Sequence, residues 1–280
     1  MTKLAATAVM VAALVGPLAA QQAPPAKQDS WQTTMNAASA AEKRGHLAEA
    51  ENLFNAALNQ LENSGRNDQR LVQTLSALSR VYEKEGKYSD AEPLCLRAVQ
   101  IWEMSLGQSN LIVARSYTKL ADLYSLEKNY SDAEDAYQRS LAILDRTAGA
   151  TNQAAAPDLK GLAEIYGHRG KYEEAERLYW RSISIWQESL GPDHPVVAAS
   201  LNDLASLYTA EGKYSDAELL YQRSLAIVEH SLGSNSPEAA QCLENYAALL
   251  RKTNRAAEAD KMEARAKVIR EKNSKPTKTN

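Results

Sequence analysis

Residues Gly86-Lys87-Tyr88-Ser89-Asp90-Ala91-Glu92 decide how this chain folds, because the heptapeptide recurs. It returns as Lys128-Asn129-Tyr130-Ser131-Asp132-Ala133-Glu134, then as GKYEEAE at Gly170 to Glu176 and GKYSDAE at Gly212 to Glu218, each time 42 residues on. A weaker copy, GHLAEAE from Gly45 to Glu51, precedes the first by 41 residues, and a degenerate one, NRAAEAD from Asn254 to Asp260, follows the fourth by 42. Self-similarity at a fixed period marks a stacked repeat architecture, here of six units over about residues 30–271.

Outward from the heptapeptide, each unit reads as two helices. The first carries Leu-Ala-x-Leu-Tyr, as at Leu120 to Tyr124, Leu162 to Tyr166 and Leu204 to Tyr208. Its apolar residues recur at the spacing of one helical face. The second carries Ala-Glu-x-x-Tyr-x-Arg-Ser-Leu-x-Ile, as at Ala133 to Ile143 and Ala217 to Ile227. Ser89 with Glu92, Ser131 with Glu134 and Ser215 with Glu218 have the spacing of a capping box, placing the start of that helix at the serine. Gly86 and Gly212 suit the left-handed turn that ends the first helix. Units are joined by Leu-Gly-x-x-x-Pro, with Pro195 and Pro237 suited to the first helical position. Between Asp145 and Pro157 that connector is lost, which predicts a shortened helix starting near Pro157 and a loosened, hinge-like junction. Nothing alternates with period two, so the fold class is all-α.

The paired helices, with Ala121, Ala163 and Ala205 in the first and Ala91, Ala133, Ala175 and Ala217 in the second, resemble the tetratricopeptide repeat. The length of 42, Gly-Lys-Tyr, Glu92-Pro93-Leu94-Cys95 and Leu190-Gly191-Pro192-Asp193-His194-Pro195 resemble its kinesin-light-chain type. The heptad coiled coil of that family's cargo adaptors is missing. The resemblance implies a right-handed α-solenoid of six helix pairs whose first helices line a concave groove, and a protein–protein interaction role instead of catalysis.

The amino terminus is a different kind of sequence. Lys3 precedes an apolar run from Leu4 to Ala20, broken by Gly16-Pro17 and followed by the linker-like residues 21–29. This reads as a secretory signal over 1–20 and predicts a periplasmic or secreted protein; the alternative is an uncleaved membrane anchor. Residues 272–280 read as a disordered basic tail, and the seven Lys or Arg between Lys261 and Asn280 as a solvating cap or an attraction to an anionic partner. Cys95 and Cys242 lie units apart, too far to bridge, and are expected as buried free thiols.

Composition bounds the function. The 280 residues carry a net charge of −3 with 24% charged and 44% hydrophobic residues, ordinary for a globular chain and unsuited to broad nucleic-acid binding. No cofactor or metal is expected: His46, His168, His194 and His230 never share a helical face, and no phosphate-binding glycine loop occurs. Thirteen Tyr against one Phe is the odd count, and eleven of those Tyr fall in three columns spaced by the repeat. These are packing positions, with Phe54 and Cys95 in the column of Tyr137, Tyr179 and Tyr221.

Function is therefore expected on the variable groove positions: Arg80, Lys84, Arg115, Lys119, Asp122, Lys160, Glu164, His168, Asn202, Asp203, Glu244, Asn245 and Arg251. Asn202 resembles the Asn that the light-chain type sets against a ligand backbone, while Glu164 and Asp203 stand where a carboxylate clamp would need other residues. An extended peptide or partner helix is the expected occupant, in a non-catalytic scaffold. Trp180 reads as an outward-facing contact candidate, and Trp102 and Trp186 as core. The alternative role is a self-assembling structural module, through stacking of open solenoid ends.

Overall fold

The computed structural model describes residues 30–63, 69–149 and 152–274. The expected leader, the linker and the last six residues of the tail lie outside the described residues. Twelve helices follow one another in pairs, and no strand occurs among the described residues. They are α1 (Ser30–Lys43), α2 (Leu47–Glu62), α3 (Gln69–Glu85), α4 (Tyr88–Leu106), α5 (Leu111–Leu126) and α6 (Tyr130–Ala148). Then come α7 (Ala155–His168), α8 (Tyr172–Leu190), α9 (Pro195–Glu211), α10 (Tyr214–Ser231), α11 (Pro237–Lys252) and α12 (Ala256–Ser274). Each packs on the next, as an α-solenoid requires. The last helix reaches Ser274, so residues 272–274 of the expected tail are helical. Arg265 and Arg270 tie it to Glu229 and Glu244, which gives the basic segment a packing role.

The capping boxes are not used. The second helices begin on Tyr88, Tyr130, Tyr172 and Tyr214, with Lys87, Asn129, Lys171 and Lys213 as caps that make no side-chain capping bond. The serines therefore sit one residue inside the helix. The turn before them sets the start: Gly86 takes φ +72°, and the Lys87 N–H donates to the Tyr82 carbonyl at 2.8 Å. Where glycine is missing, Lys128 and Asn254 are forced to φ +60°.

The lysine and the glutamate of Gly-Lys-Tyr-x-x-Ala-Glu then each have a task. The lysine ammonium lies over the tyrosine ring ending the preceding helix: Lys87 over Tyr82, Lys171 over Tyr166 and Lys213 over Tyr208, at 4.9–5.7 Å from the centroid. Lys87 and Lys213 also reach back to Glu51 and Glu176 of the preceding unit, at 2.9 and 3.2 Å. The glutamate accepts from a tyrosine of the next unit: Tyr124 to Glu92 at 3.0 Å, Tyr166 to Glu134 at 2.8 Å, Tyr246 to Glu218 at 2.5 Å. So the Ser-x-x-Glu spacing serves unit-to-unit docking, not helix capping. Caps with side-chain bonds are found on first helices instead. Asn110, the His194 ring and Ser236 accept from the N–H of Ile112, Val196 and Ala239.

The core is a layer of Leu, Ile, Val, Ala and Tyr between successive helices, running unit to unit. Phe54, Tyr137, Tyr179 and Tyr221 share one buried column with Cys95, as the sequence predicts. Both thiols are buried and unpaired, and burial pushes their pKa up, keeping them protonated and unreactive. Trp102 and Trp186 pack partly buried against the core, and Trp180 is partly exposed.

The irregular junction leads into α7, which starts at Ala155, two residues before Pro157, and has 14 residues against 17 in α9. Inside its first turn, Asp158 is fully buried with neither carboxylate oxygen hydrogen-bonded. The nearby hydroxyls of Thr118 and Ser140 bond each other at 3.1 Å. Burial lifts the Asp158 carboxyl to about 6, softened by those hydroxyls and raised further by Asp122.

Candidate functional site

First helices of neighbouring units approach one another: α5 touches α7, and α9 touches α11. Ion pairs cross the same way, Arg80 to Glu42 and Lys160 to Asp203. These contacts define a face shared by the first helices.

Five of the expected groove positions come together on α7 and α9. Lys160 Nζ lies 2.8 Å from Asp203 and 3.4 Å from Glu164. Glu164, His168 and Asp203 line a cavity of about 300 Å³ with Gly167, Tyr179, Ser206 and Leu207. Burial pushes the Glu164 carboxyl up and Asp203 adds to it, while Lys160 pulls it down. Burial lowers the affinity of Lys160 for its proton, but Asp203 and Glu164 more than restore it. The His168 ring stacks on Tyr130 with centroids 5.3 Å apart. Asn202 is 7% exposed, and its side-chain oxygen has no hydrogen-bond partner. It lies at a second depression, of about 240 Å³, between Lys160 and Asp203 on one side and Glu238, Gln241 and Cys242 on the other.

A second group lies on α5. Arg115 and Lys119 are exposed and make no ion pair among the described residues. Asp122 accepts from Tyr137 at 2.6 Å. Burial raises its pKa, against the pull of that bond and of Lys119. Lys119 borders a shallow hollow lined by Ser76, Ser79, Glu83 and Cys95.

Four expected positions pair with charges on neighbouring helices. Arg80 grips Glu42 with Nε at 2.7 Å and Nη2 at 2.8 Å, and Lys84 joins at 2.7 Å. Arg80 and then Lys84 overcome burial and hold the Glu42 carboxyl down to about 2. Glu244 accepts from Arg270 at 2.5 and 2.6 Å, and Arg251 donates to Asp260 and Glu263 of α12. These are braces between packed helices. Asn245 accepts from Gln241 at 3.1 Å on its own helix.

Sequence reasoning passed over Tyr179 and Ser206, treating the first only as a core column. The period contained the signal: the position held by Asp122 and Ser206 in the neighbouring units, where each bonds its unit's column tyrosine, is Glu164 in the unit of Tyr179. Among the described residues no group of His, Cys, Asp or Glu could hold a metal, and no helix is long and apolar enough to cross a membrane.

The tetratricopeptide repeat family model matches residues 71–146 and 153–230, just over half of the chain. The BtubC (BKLC) structure from P. vanneervenii is 23% identical, with 90% of this chain and 96% of that one covered and a TM-score of 0.66. A Podosopora anserina putative kinesin light chain with nearly identical repeats is 23% identical over 72% of this chain and 95% of that one, at 0.64. A Rap protein complexed with competence and sporulation factor is 16% identical over 86% of this chain and 75% of that one, at 0.56. At these identities the likeness concerns the fold. No curated protein matches the sequence.

Proposed function

The chain belongs to the tetratricopeptide repeat family, whose members typically mediate protein–protein interaction, and from that premise we propose a non-catalytic scaffold that binds another protein. The occupant is an extended peptide or partner helix lying along the face of α5, α7, α9 and α11. One observation carries this reading: the Asn202 side-chain oxygen is buried without a partner at the floor of an open depression. An unsatisfied buried amide costs about 1–3 kcal/mol, which a backbone N–H of a bound chain removes. Exposed Arg115 and Lys119 at one end and Lys160, Glu164 and Asp203 in the middle supply both charge signs to fix its register. The Rap complex is a case of such an array holding a factor. The apolar run Leu4 to Ala20 supports export, with the array in the periplasm or outside the cell, or held at the membrane by that run uncleaved.

The test is capture from a cross-linked envelope fraction by the natural chain, by Asn202→Ala and by Arg115→Glu/Lys119→Glu. The reading expects a reproducible protein partner whose recovery falls in both variants. Unchanged recovery in both would remove the groove from the account.

A further inference from the structure

The cavity between α7 and α9 departs from the repeat's own bonding. In the third unit the Tyr137 hydroxyl donates to Asp122 at 2.6 Å, and in the fifth the Tyr221 and Ser206 hydroxyls bond at 2.9 Å. The same two positions in the fourth unit hold Tyr179 and Glu164, and no such bond forms there. Glu164 turns to Lys160 instead, at 3.4 Å. Tyr179 is only 4% exposed, yet its hydroxyl has no hydrogen-bond partner among the described residues and borders a cavity of about 300 Å³. That hydroxyl is open to the cavity, from which a partner can reach it.

The walls say what that partner would be. One ammonium, Lys160, is shared between Asp203 and Glu164, so the local balance is negative by one charge. Asp203 and Ser206 stand on one side and Glu164 and His168 on the other. Gly167 adds no side chain where Ser125 and Thr209 stand in the adjoining units, and Leu207 packs into the space, 2.8 Å from where a Gly167 Cβ would be. His168 is held flat against Tyr130. An acidic side chain entering here would meet two carboxylates. An apolar one would strand the Tyr179 hydroxyl and strip water from Glu164 with nothing in return. A cation meets neither objection: it donates to the Glu164 carboxylate and to the lone pairs of the Tyr179 oxygen.

We infer that this cavity is a subsite for a basic side chain, the guanidinium of arginine or the ammonium of lysine, carried by the chain that occupies the groove. The inference rests on the groove reading and gives it a chemical preference. Glu164 supplies the charge, Tyr179 the neutral acceptor, and Asp203 keeps Lys160 from neutralising Glu164 completely.

The experiment uses small probes, so it does not depend on finding the partner. The full-length chain, with its tyrosine rings carbon-13 labelled, is titrated with N-acetyl-arginine methylamide, the lysine analogue, the glutamate analogue and the norleucine analogue. The Tyr179 ring signal is identified by its loss in Tyr179→Phe. The arginine and lysine probes should shift it saturably and the other two should not. Glu164→Gln, whose side chain is exposed enough to leave folding intact, should weaken the basic probes about tenfold, the effect of losing one charge-assisted bond. No shift, an equal shift with norleucine, or full affinity in Glu164→Gln would overturn the inference. If the probes bind but Asn202→Ala and the α5 charge reversal leave partner capture untouched, the groove reading fails and the subsite stands. If capture depends on the groove but the probes do not bind, the reverse holds.

Discussion

Replacing Asp158 with asparagine should stabilise this protein at neutral pH, although it removes a charge from the first turn of a helix. Asp158 is fully buried in α7 against α5 and α6, with both oxygens unbonded. Burial holds its carboxyl at about 6 instead of the ordinary 3.8. A rise of about two pKa units corresponds to about 3 kcal/mol at about 1.4 kcal/mol per unit. The sign follows from which state holds the proton more tightly. The folded chain does, so the favourable contribution is complete below pH 3.8 and is lost as pH rises through about 6. At pH 7 the folded state carries the full cost of a buried carboxylate. Asparagine keeps the shape, carries no charge and offers N–H donors to Thr118 and Ser140. We expect a gain of about 1–3 kcal/mol at pH 7, or several degrees in Tm. The assay is urea unfolding of both proteins at half-unit steps from pH 4 to pH 7.5. The natural chain should lose stability relative to Asp158→Asn between about pH 4 and pH 6, and the difference should then level off. A variant less stable than the natural chain at pH 7, or two parallel pH curves, would refute the reasoning.

Three further outcomes follow from the packing. Glu42→Gln leaves Arg80 and Lys84 without their shared partner. Water reaches about half of each cation, so the loss at pH 7 should be about 1–2 kcal/mol, smaller than the depressed pKa alone suggests. Because the Glu42 pKa is lowered to about 2, that stability is present above 4.5 and should vanish as pH falls toward 2, read by circular dichroism. Lys128→Gly relieves a side chain held at φ +60° and should raise stability by about 0.5–1 kcal/mol in thermal unfolding. Gly161→Ala should do the opposite of a normal helix substitution. Its Cβ would lie 2.4 Å from the Tyr137 ring carbon and hydroxyl, so Tyr137 must leave Asp122, at a net cost of about 1–3 kcal/mol. A stabilised Gly161→Ala would mean Tyr137 has another resting place.

The helix pairs were legible because their period is carried by residues that pack against their own copies. Leu120, Ala121 and Tyr124 face the same neighbours as Leu162, Ala163 and Tyr166. The capping boxes misled for a physical reason. Ser-x-x-Glu has the same spacing whether the serine caps the helix or lies inside it. What decides is the turn before it, and Glu92, Glu134 and Glu218 are drawn away by tyrosines of the following unit. At the site, Lys160, Glu164, Asn202 and Asp203 were reachable by counting columns. The ion pairs of Glu244 and Arg251 were not, because Arg270, Asp260 and Glu263 lie on the helix whose copy of the repeat is degenerate. The pairing of Arg80 and Lys84 with Glu42 was not legible because Glu42 belongs to the divergent first unit. Asp158 was hidden because the column it occupies holds Ser116 and Ser200 in the neighbouring units, and only the packed α5–α6–α7 junction shows a charge sealed away there.

The central claim is that function lies on the face of the first helices. Placing a photo-cross-linking amino acid at Ser206 or Ala199 on that face, and at Gln138 or Gln222 on the second helices, tests it in the host cell. The account predicts a discrete protein adduct from Ser206 and Ala199 that disappears with Arg115→Glu/Lys119→Glu, and none from Gln138 or Gln222. Adducts formed only from the second helices would contradict it.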